Sequence, residues 1–284
     1  MVNSSTFISN SLSLSISIVI PLYNQLHYTR LCLESLLPTV DAGVQIILID
    51  NGSSDGTAEY LAARTDVSVI SNPVNLGCAA AWNQGVNASR SDYVVILNND
   101  VILPSGWLEA LVHFAEKGNF DVVSPAMREG EYNYDIAEYA KAFVARMATV
   151  KRVGVANGVC FMVKRQVFDQ IGFFDEKFRI GQFEDSDFFR RATLAGFALA
   201  MTGSSFLHHF GSITQNSIRR TQTAGPYEEE NRKYFRQKWR LTWWKRFVDR
   251  RVACFRNFIW SKSERLLHRH SLKEGWRDGR LYFS

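Results

Sequence analysis

The chain has 284 residues, 46% hydrophobic and 21% charged, with a formal net charge of +5; that suits a folded protein with a substantial core, as one domain or a domain plus an appendage, and excludes a disordered chain. No stretch is long and apolar enough to span a bilayer, and the Ser/Asn-rich start lacks the basic region of a secretory signal. Four scattered cysteines (Cys32, Cys78, Cys160, Cys254) have no metal-ligand spacing and suit reduced thiols, so the expectation is a cytoplasmic protein.

Strand and helix signals alternate at short intervals along the first hundred residues. Residues 16–21 read as a strand, 26–37 as a helix, 44–49 as a strand, 56–64 as a helix, 67–70 as a short strand, 78–88 as a helix and 93–97 as a strand. Such alternation predicts parallel strands joined by crossover helices, hence a Rossmann-like α/β domain with a mostly parallel sheet. A helix follows over 105–117 with Ser105 as its N-cap, while 128–152 is polar and aromatic and gives no firm conformation. Val159 to Val163 reads as a strand, 165–171 as a helix, and Phe197 to Met201 as a strand closed by a Gly-Ser turn. The division expected is 1–225 as the α/β domain and 226–284 as a mainly helical, basic extension.

Polar residues gather where these strands end. Strand one runs into Pro21-Leu22-Tyr23-Asn24, strand two into Asp50-Asn51-Gly52-Ser53-Ser54-Asp55, and the strand at 93–97 into Asn98-Asn99-Asp100. The carboxyl edge of an open α/β sheet is where ligands bind. Asp100 can give an anionic oxygen to a hard divalent cation, which favours oxygen ligands and substrate phosphates; Asn and Asp are also ordinary turn residues. Asp50 can accept from a pyrimidine N–H, Gly52 permits a close ligand approach, and Asp55 suits a helix cap. The small residues of Asn75-Leu76-Gly77 through Asn83 would keep a helix flush against a nucleotide, or simply pack. Farther on, Glu184-Asp185 opens a helix, where the macrodipole favours an ionised carboxylate that can act as general base. His208-His209 follows, and a neutral imidazole can ligate metal or contact phosphate.

Charge is uneven. Residues 226–284 hold 16 Lys/Arg against 7 Asp/Glu, a net of +9, leaving −4 for the rest, and five of the seven tryptophans lie there. Indoles among cations suit anionic lipid headgroups or nucleic-acid phosphates. A helical hairpin packed on the main domain, with solvated arginines, satisfies the same pattern.

Taken in order, these motifs make the chain resemble the family 2 glycosyltransferases of the GT-A fold, over roughly residues 15–215, and within them the rhamnosyltransferase-like enzymes of bacterial surface polysaccharide synthesis. The resemblance implies an inverting transfer from a nucleoside-diphosphate sugar, UDP- or dTDP-linked, to a hydroxyl of a saccharide or lipid-linked saccharide. It implies that Pro21, Tyr23, Asn24 and Asp50 line the base and ribose pocket, with Asn51, Asn75, Gly77, Asn83, Asn98 and Asn99 completing the donor site. Asp100 would hold Mn²⁺ or Mg²⁺ with His208, favoured over His209 by its distance from Gly211-Ser212. Asp185 would be the base and Glu184 its support. The tail would sit peripherally at the inner membrane face, or track DNA if a hydroxylated base were the acceptor. A nucleotidyltransferase would need a glycine-rich basic loop after strand one, which Pro21-Leu22-Tyr23-Asn24-Gln25 is not; a degenerate binding module would have lost Asp100, Asp185 and His208, all present.

Overall fold

The computed structural model describes residues 14–221, 226–277 and 280–283; the expectation about a secretory signal falls on the start of the chain, mostly outside the described residues. The first half alternates as its periodicity dictates, through β1 (Ile16–Leu22), α1 (Leu26–Leu36), β2 (Gln45–Asp50), α2 (Thr57–Ala62), β3 (Ser68–Ser71), α3 (Cys78–Ala88) and β4 (Tyr93–Leu97). β1 lies parallel to β2 and β4, and β2 to β3. β1, β2 and β4 are largely apolar on both faces because each face is covered, whereas β3 is a mostly exposed edge strand. Ile18, Leu48 and Val95 pack with Leu33 of α1, while Val19, Ile47 and Val94 pack with Trp82 and Val86 of α3.

The chain continues through β5 (Val101–Ile102), α4 (Trp107–Gly118), β6 (Val122–Gly130), α5 (Ile136–Met147), β7 (Lys151–Val153), β8 (Cys160–Lys164), α6 (Arg165–Ile171), α7 (Glu184–Leu194) and β9 (Leu199–His209). β8 runs antiparallel to β4 and β6, and β9 pairs with β5, β6 and β7, so the sheet is mixed at this side. Segment 128–152, opaque in sequence, holds the end of β6, α5 capped by Asp135, and β7. Two local expectations are corrected. Gly106, in the left-handed region at φ 79°, takes the N-cap of α4 in place of Ser105, with no side-chain cap. β9 also passes unbroken through Gly203-Ser204, absorbing the extra residues as a bulge where Thr202 pairs with Pro125 and Phe206 with Ala126.

The C-terminal part is helical, with α8 (Ile213–Thr221), α9 (Tyr227–Lys238) and α10 (Trp243–His268), and then returns to the sheet as β10 (Lys273–Arg277) and β11 (Arg280–Phe283). β10 lies parallel to β6 and β11 closes that edge. Arg128, 4% exposed, lies among the rings of Tyr134, Tyr139 and Trp276, its guanidinium 4.0–4.8 Å from each centroid. Among the described residues no helix is long and apolar enough to cross a membrane.

Candidate active site

The parallel strands β1, β2 and β4 release Pro21–Tyr23, Asn51 and Asn98–Asp100 at one edge, and there a cavity of about 260 Å³ opens, lined by these residues with Asn75, His209 and Ser212. Its floor is fixed by amides. Asn51 donates to Asn75 Oδ1 (2.9 Å) and accepts from the Leu76 N–H (3.0 Å), so the loop from β3 to α3 is tied to the end of β2. Asn99 donates to Thr29 Oγ1 (3.0 Å) of α1. Asp100, 5% exposed, is held by its carbonyl, which accepts from the Phe210 N–H (2.9 Å).

His209 faces Asp100. The two residues 101 and 209 are register partners across β5 and β9, and Glu129 pairs with His209 across β6. His209 Nε2 stands 3.4 Å from Asp100 Oδ2, and Nδ1 3.1 Å from Glu129 Oε2. Burial alone would lower the His209 pKa, but the two carboxylates outweigh it and lift it to about 9. Burial likewise works to raise Asp100, and the imidazole more than reverses it, so Asp100 is held below its usual range. The expectation for His208 is therefore corrected on geometry. Successive strand residues point to opposite faces, and His208 turns from the cavity to Tyr134, whose hydroxyl lies 3.0 Å from Nδ1. Burial drives the His208 pKa down to about 3, so the ring is neutral.

A second cavity, about 340 Å³, adjoins the first and shares Asn98, Val159 and Gln215 with it; Gly158, Glu184 and Asp185 line its far side. Glu184 is 5% exposed and Asp185 half-buried at the first turn of α7. Burial, reinforced by the neighbouring carboxylate, pushes Glu184 up to about 8, and burial raises Asp185 as well. The loop that delivers them is strained, with Ile180, Gln182 and Phe183 all in the left-handed region (φ 61°, 77° and 77°). Asn231 of α9, 1% exposed, holds it there, donating to the carbonyls of Arg179 and Gly181 (2.8 Å each) and accepting from the Arg179 N–H (2.9 Å). Lys273 of β10 is close enough to Asp185 and Glu129 for both to raise its pKa, though burial prevails and leaves it lowered.

Not every expected residue lines these two cavities. Asp50 is buried and accepts from the Ser53 N–H (3.0 Å), and Asn24 accepts from the Ser54 N–H (2.7 Å), so both shape the loop after β2. Gly52 (φ 79°) meets the backbone of Val74, where a Cβ would come within 2.7 Å. Gly77 joins the Asn51–Asn75 network, and Asn83 is spent on Phe174 and Glu176. Asp55 stands just before α2 and accepts from the Thr57 N–H (3.2 Å), but the N-cap is Gly56, with no side-chain cap, so the expected cap is corrected. Glu129, Asn231 and Lys273 carried no sequence signal, since each reaches the site through tertiary pairing of β6, α9 or β10.

A ligand cavity at the carboxyl ends of parallel strands, with a carboxylate–imidazole pair on one side and two carboxyls on the other, marks a ligand-binding α/β protein with polar chemistry at the sheet edge. The chain belongs to glycosyl transferase family 2, whose profile matches residues 17–187. Glycosyltransferase GlyG of Streptococcus pneumoniae serotype 4 is 31% identical over 124 residues, 42% of this chain and 40% of that protein. The pre-mycofactocin glycosyltransferase of Mycobacterium tuberculosis is 30% identical over 211 residues, 68% of this chain and 42% of that protein. This chain thus aligns with about two fifths of the length of these relatives. In structure it is similar to GalNAc-T7 with UDP, GalNAc and Mn²⁺ (TM-score 0.57, 17% identity, 71% of this chain and 44% of that one). It is also similar to Staphylococcus aureus TarS with UDP (TM-score 0.56, 15% identity, 69% and 60%). These likenesses establish the GT-A fold.

Proposed function

We propose that the protein moves a sugar from a nucleoside-diphosphate sugar to an acceptor hydroxyl by one in-line displacement that inverts the anomeric carbon. The observation that carries this reading is the pair of adjoining cavities, one ending at Asp100 and His209 and the other at Asp185. The nucleotide would lie along Pro21, Tyr23 and Asn51 with its diphosphate toward Asp100. The acceptor would enter from the second cavity, on the opposite side of the sugar. UDP is the first nucleotide to test, because it is bound in both structural neighbours, and dTDP the second.

Asp100 and His209 suit a Mn²⁺ or Mg²⁺ ion. An octahedral ion of this size takes ligands at about 2.1 Å, which sets adjacent donors about 3 Å apart. Here carboxylate oxygen and imidazole nitrogen are 3.4 Å apart, and the buried His209 Nε2 makes no well-formed hydrogen bond. No group of three or more His, Cys, Asp or Glu is arranged for a metal among the described residues, and two protein donors suffice where phosphate oxygens complete the shell. When bound, the cation supplies Lewis-acid neutralisation of the departing diphosphate. Glu129 holds Nδ1 of His209 and so presents Nε2 to the cavity.

Asp185 would take the proton of the acceptor hydroxyl. Burial raises its pKa, making it a stronger base than a solvated aspartate. Glu184 keeps its proton near neutrality, which spares Asp185 a second adjacent anion. Titrating UDP, dTDP, GDP and CDP into the protein by calorimetry, with Mn²⁺ and with EDTA, tests the donor half of this reading. One nucleotide should bind, weakened at least about tenfold by EDTA and by Asp100→Ala, the loss of about one charge-assisted contact. Equal binding with and without the ion would contradict the assignment of Asp100.

A further inference from the structure

Helix α10 is 26 residues long and mostly exposed. Its less exposed residues Arg246, Ala253, Trp260 and Glu264, spaced by seven, seven and four, share one helix face, and Ser261, Ser263 and His268 are also partly covered towards its C-terminal end. That end is fixed. Arg152 and Glu264, 3% and 4% exposed, form a bidentate pair at 2.8 and 2.9 Å, and Ser271 and the Leu272 N–H complete the carboxylate's bonding.

At about 100° per residue, Trp244, Val248, Val252, Phe255, Ile259 and Leu266 fall on the side roughly opposite that shared face. They are 47–81% exposed. Isolated exposed apolar residues need no explanation, but a continuous aromatic and aliphatic face several turns long does. The same helix carries seven Lys/Arg against Asp249 and Glu264, and Glu264 is already committed to Arg152. Cations overlie the aromatic rings, with Arg251 at 5.2 Å from the Phe247 centroid, Arg256 at 4.8 Å from Trp260 and Lys262 at 5.6 Å from Phe258.

We propose that α10 docks on an anionic lipid bilayer, lying in the plane of the interface with its Trp/Phe face among the acyl chains and its cations at the headgroups. Two features select this occupant. The cations are interleaved with the apolar face instead of segregated from it, so whatever covers that face must also neutralise them, and anionic headgroups above hydrocarbon do both. A second copy of α10 would instead bring the same cations together. Tryptophan and arginine, both present on this exposed surface, are residues that settle at a membrane–water boundary. The inference does not depend on the reading of the site as a sugar transferase.

Co-sedimentation of the full chain with vesicles tests it, using phosphatidylcholine alone and phosphatidylcholine with about one-third phosphatidylglycerol. The expected result is pelleting with the anionic vesicles only, reversed by high salt. Trp244→Ser/Phe255→Ser and Arg250→Glu/Arg251→Glu/Arg256→Glu should each lower the affinity at least about tenfold, since each surface cation contributes about one order of magnitude or less. All five side chains are exposed, so both variants should keep the wild-type circular dichroism and melting temperature. Failure of the wild type to pellet, equal pelleting with neutral vesicles, or undiminished pelleting of both variants would overturn the proposal. So would a wild-type dimer in light scattering that Trp244→Ser/Phe255→Ser converts to monomer, which would assign the face to a second copy.

Discussion

Asp185 owes its position to a residue with no side chain. A methyl group at Gly158 would lie 2.1 Å from Asp185 Oδ2 and 2.9 Å from Cγ, so the carboxylate rests against that backbone. Gly158→Ala must displace it, and a displacement of about 1 Å can cost roughly a hundredfold in rate. Nucleotide affinity should stay within about twofold by calorimetry, because Gly158 lines only the second cavity. Glu184 gives a pH signature. Its pKa rises from 4.5 to about 8 on folding, so between those values the folded protein binds more protons than the unfolded one and stability falls as pH rises. Glu184→Gln removes this dependence. Thermal melts should find the variant gaining a few degrees over wild type at pH 9 and less at pH 6. At this scale the sequence was informative wherever a polar residue directly followed an apolar strand, as at Asp100, or opened a helix, as at Asp185. It could not choose between His208 and His209, because the face of a strand depends on register, and register here is set across β5 and β6.

Between elements, two buried residues tie the C-terminal helices to the rest of the fold, Asn231 of α9 to the loop before α7 and Glu264 of α10 to Arg152 of β7. Asn231 satisfies the carbonyls of the strained loop before α7, and leaving those groups unpaired costs about 1–3 kcal/mol. Asn231→Ala should lower the melting temperature by several degrees and reduce turnover more than nucleotide binding, as the loop carrying Glu184 and Asp185 relaxes. Glu264→Ala leaves Arg152 as an uncompensated buried cation, which costs about 3–5 kcal/mol. Denaturant titration should find Arg152→Leu/Glu264→Leu less destabilised than Glu264→Ala, because the double change removes both charges. Elements β1, β2 and β4 were legible because each holds a run of four or five apolar residues bounded by turn residues, and the short β3 because it falls between two crossover helices. β6 and β10 were not. Pro125 and Arg128 interrupt the apolar pattern of β6, and Arg128 is tolerated in the interior only because Tyr134, Tyr139 and Trp276 surround it. Lys273-Glu274-Gly275-Trp276 has no strand signature at all, and pairing with β6 on one side and β11 on the other makes it one.

For the whole molecule, the division at residue 225 describes composition better than construction. The extension is basic and mainly helical, yet it contributes Asn231 and Lys273 to the site and β10 to the sheet. Residues 226–284 are therefore built into the same fold as the rest of the described chain, with α10 as their outward surface. The central claim is that Asp185 performs the proton transfer while the Asp100–His209 side holds the donor. Its most direct test needs no acceptor: release of nucleoside diphosphate from the donor sugar in water, measured beside donor affinity, for wild type and Asp185→Asn. The account predicts a loss of at least about a hundredfold in release with affinity changed less than about twofold, as expected when a base is removed from an intact pocket. Undiminished release by Asp185→Asn, or equal loss of affinity and rate, would contradict it.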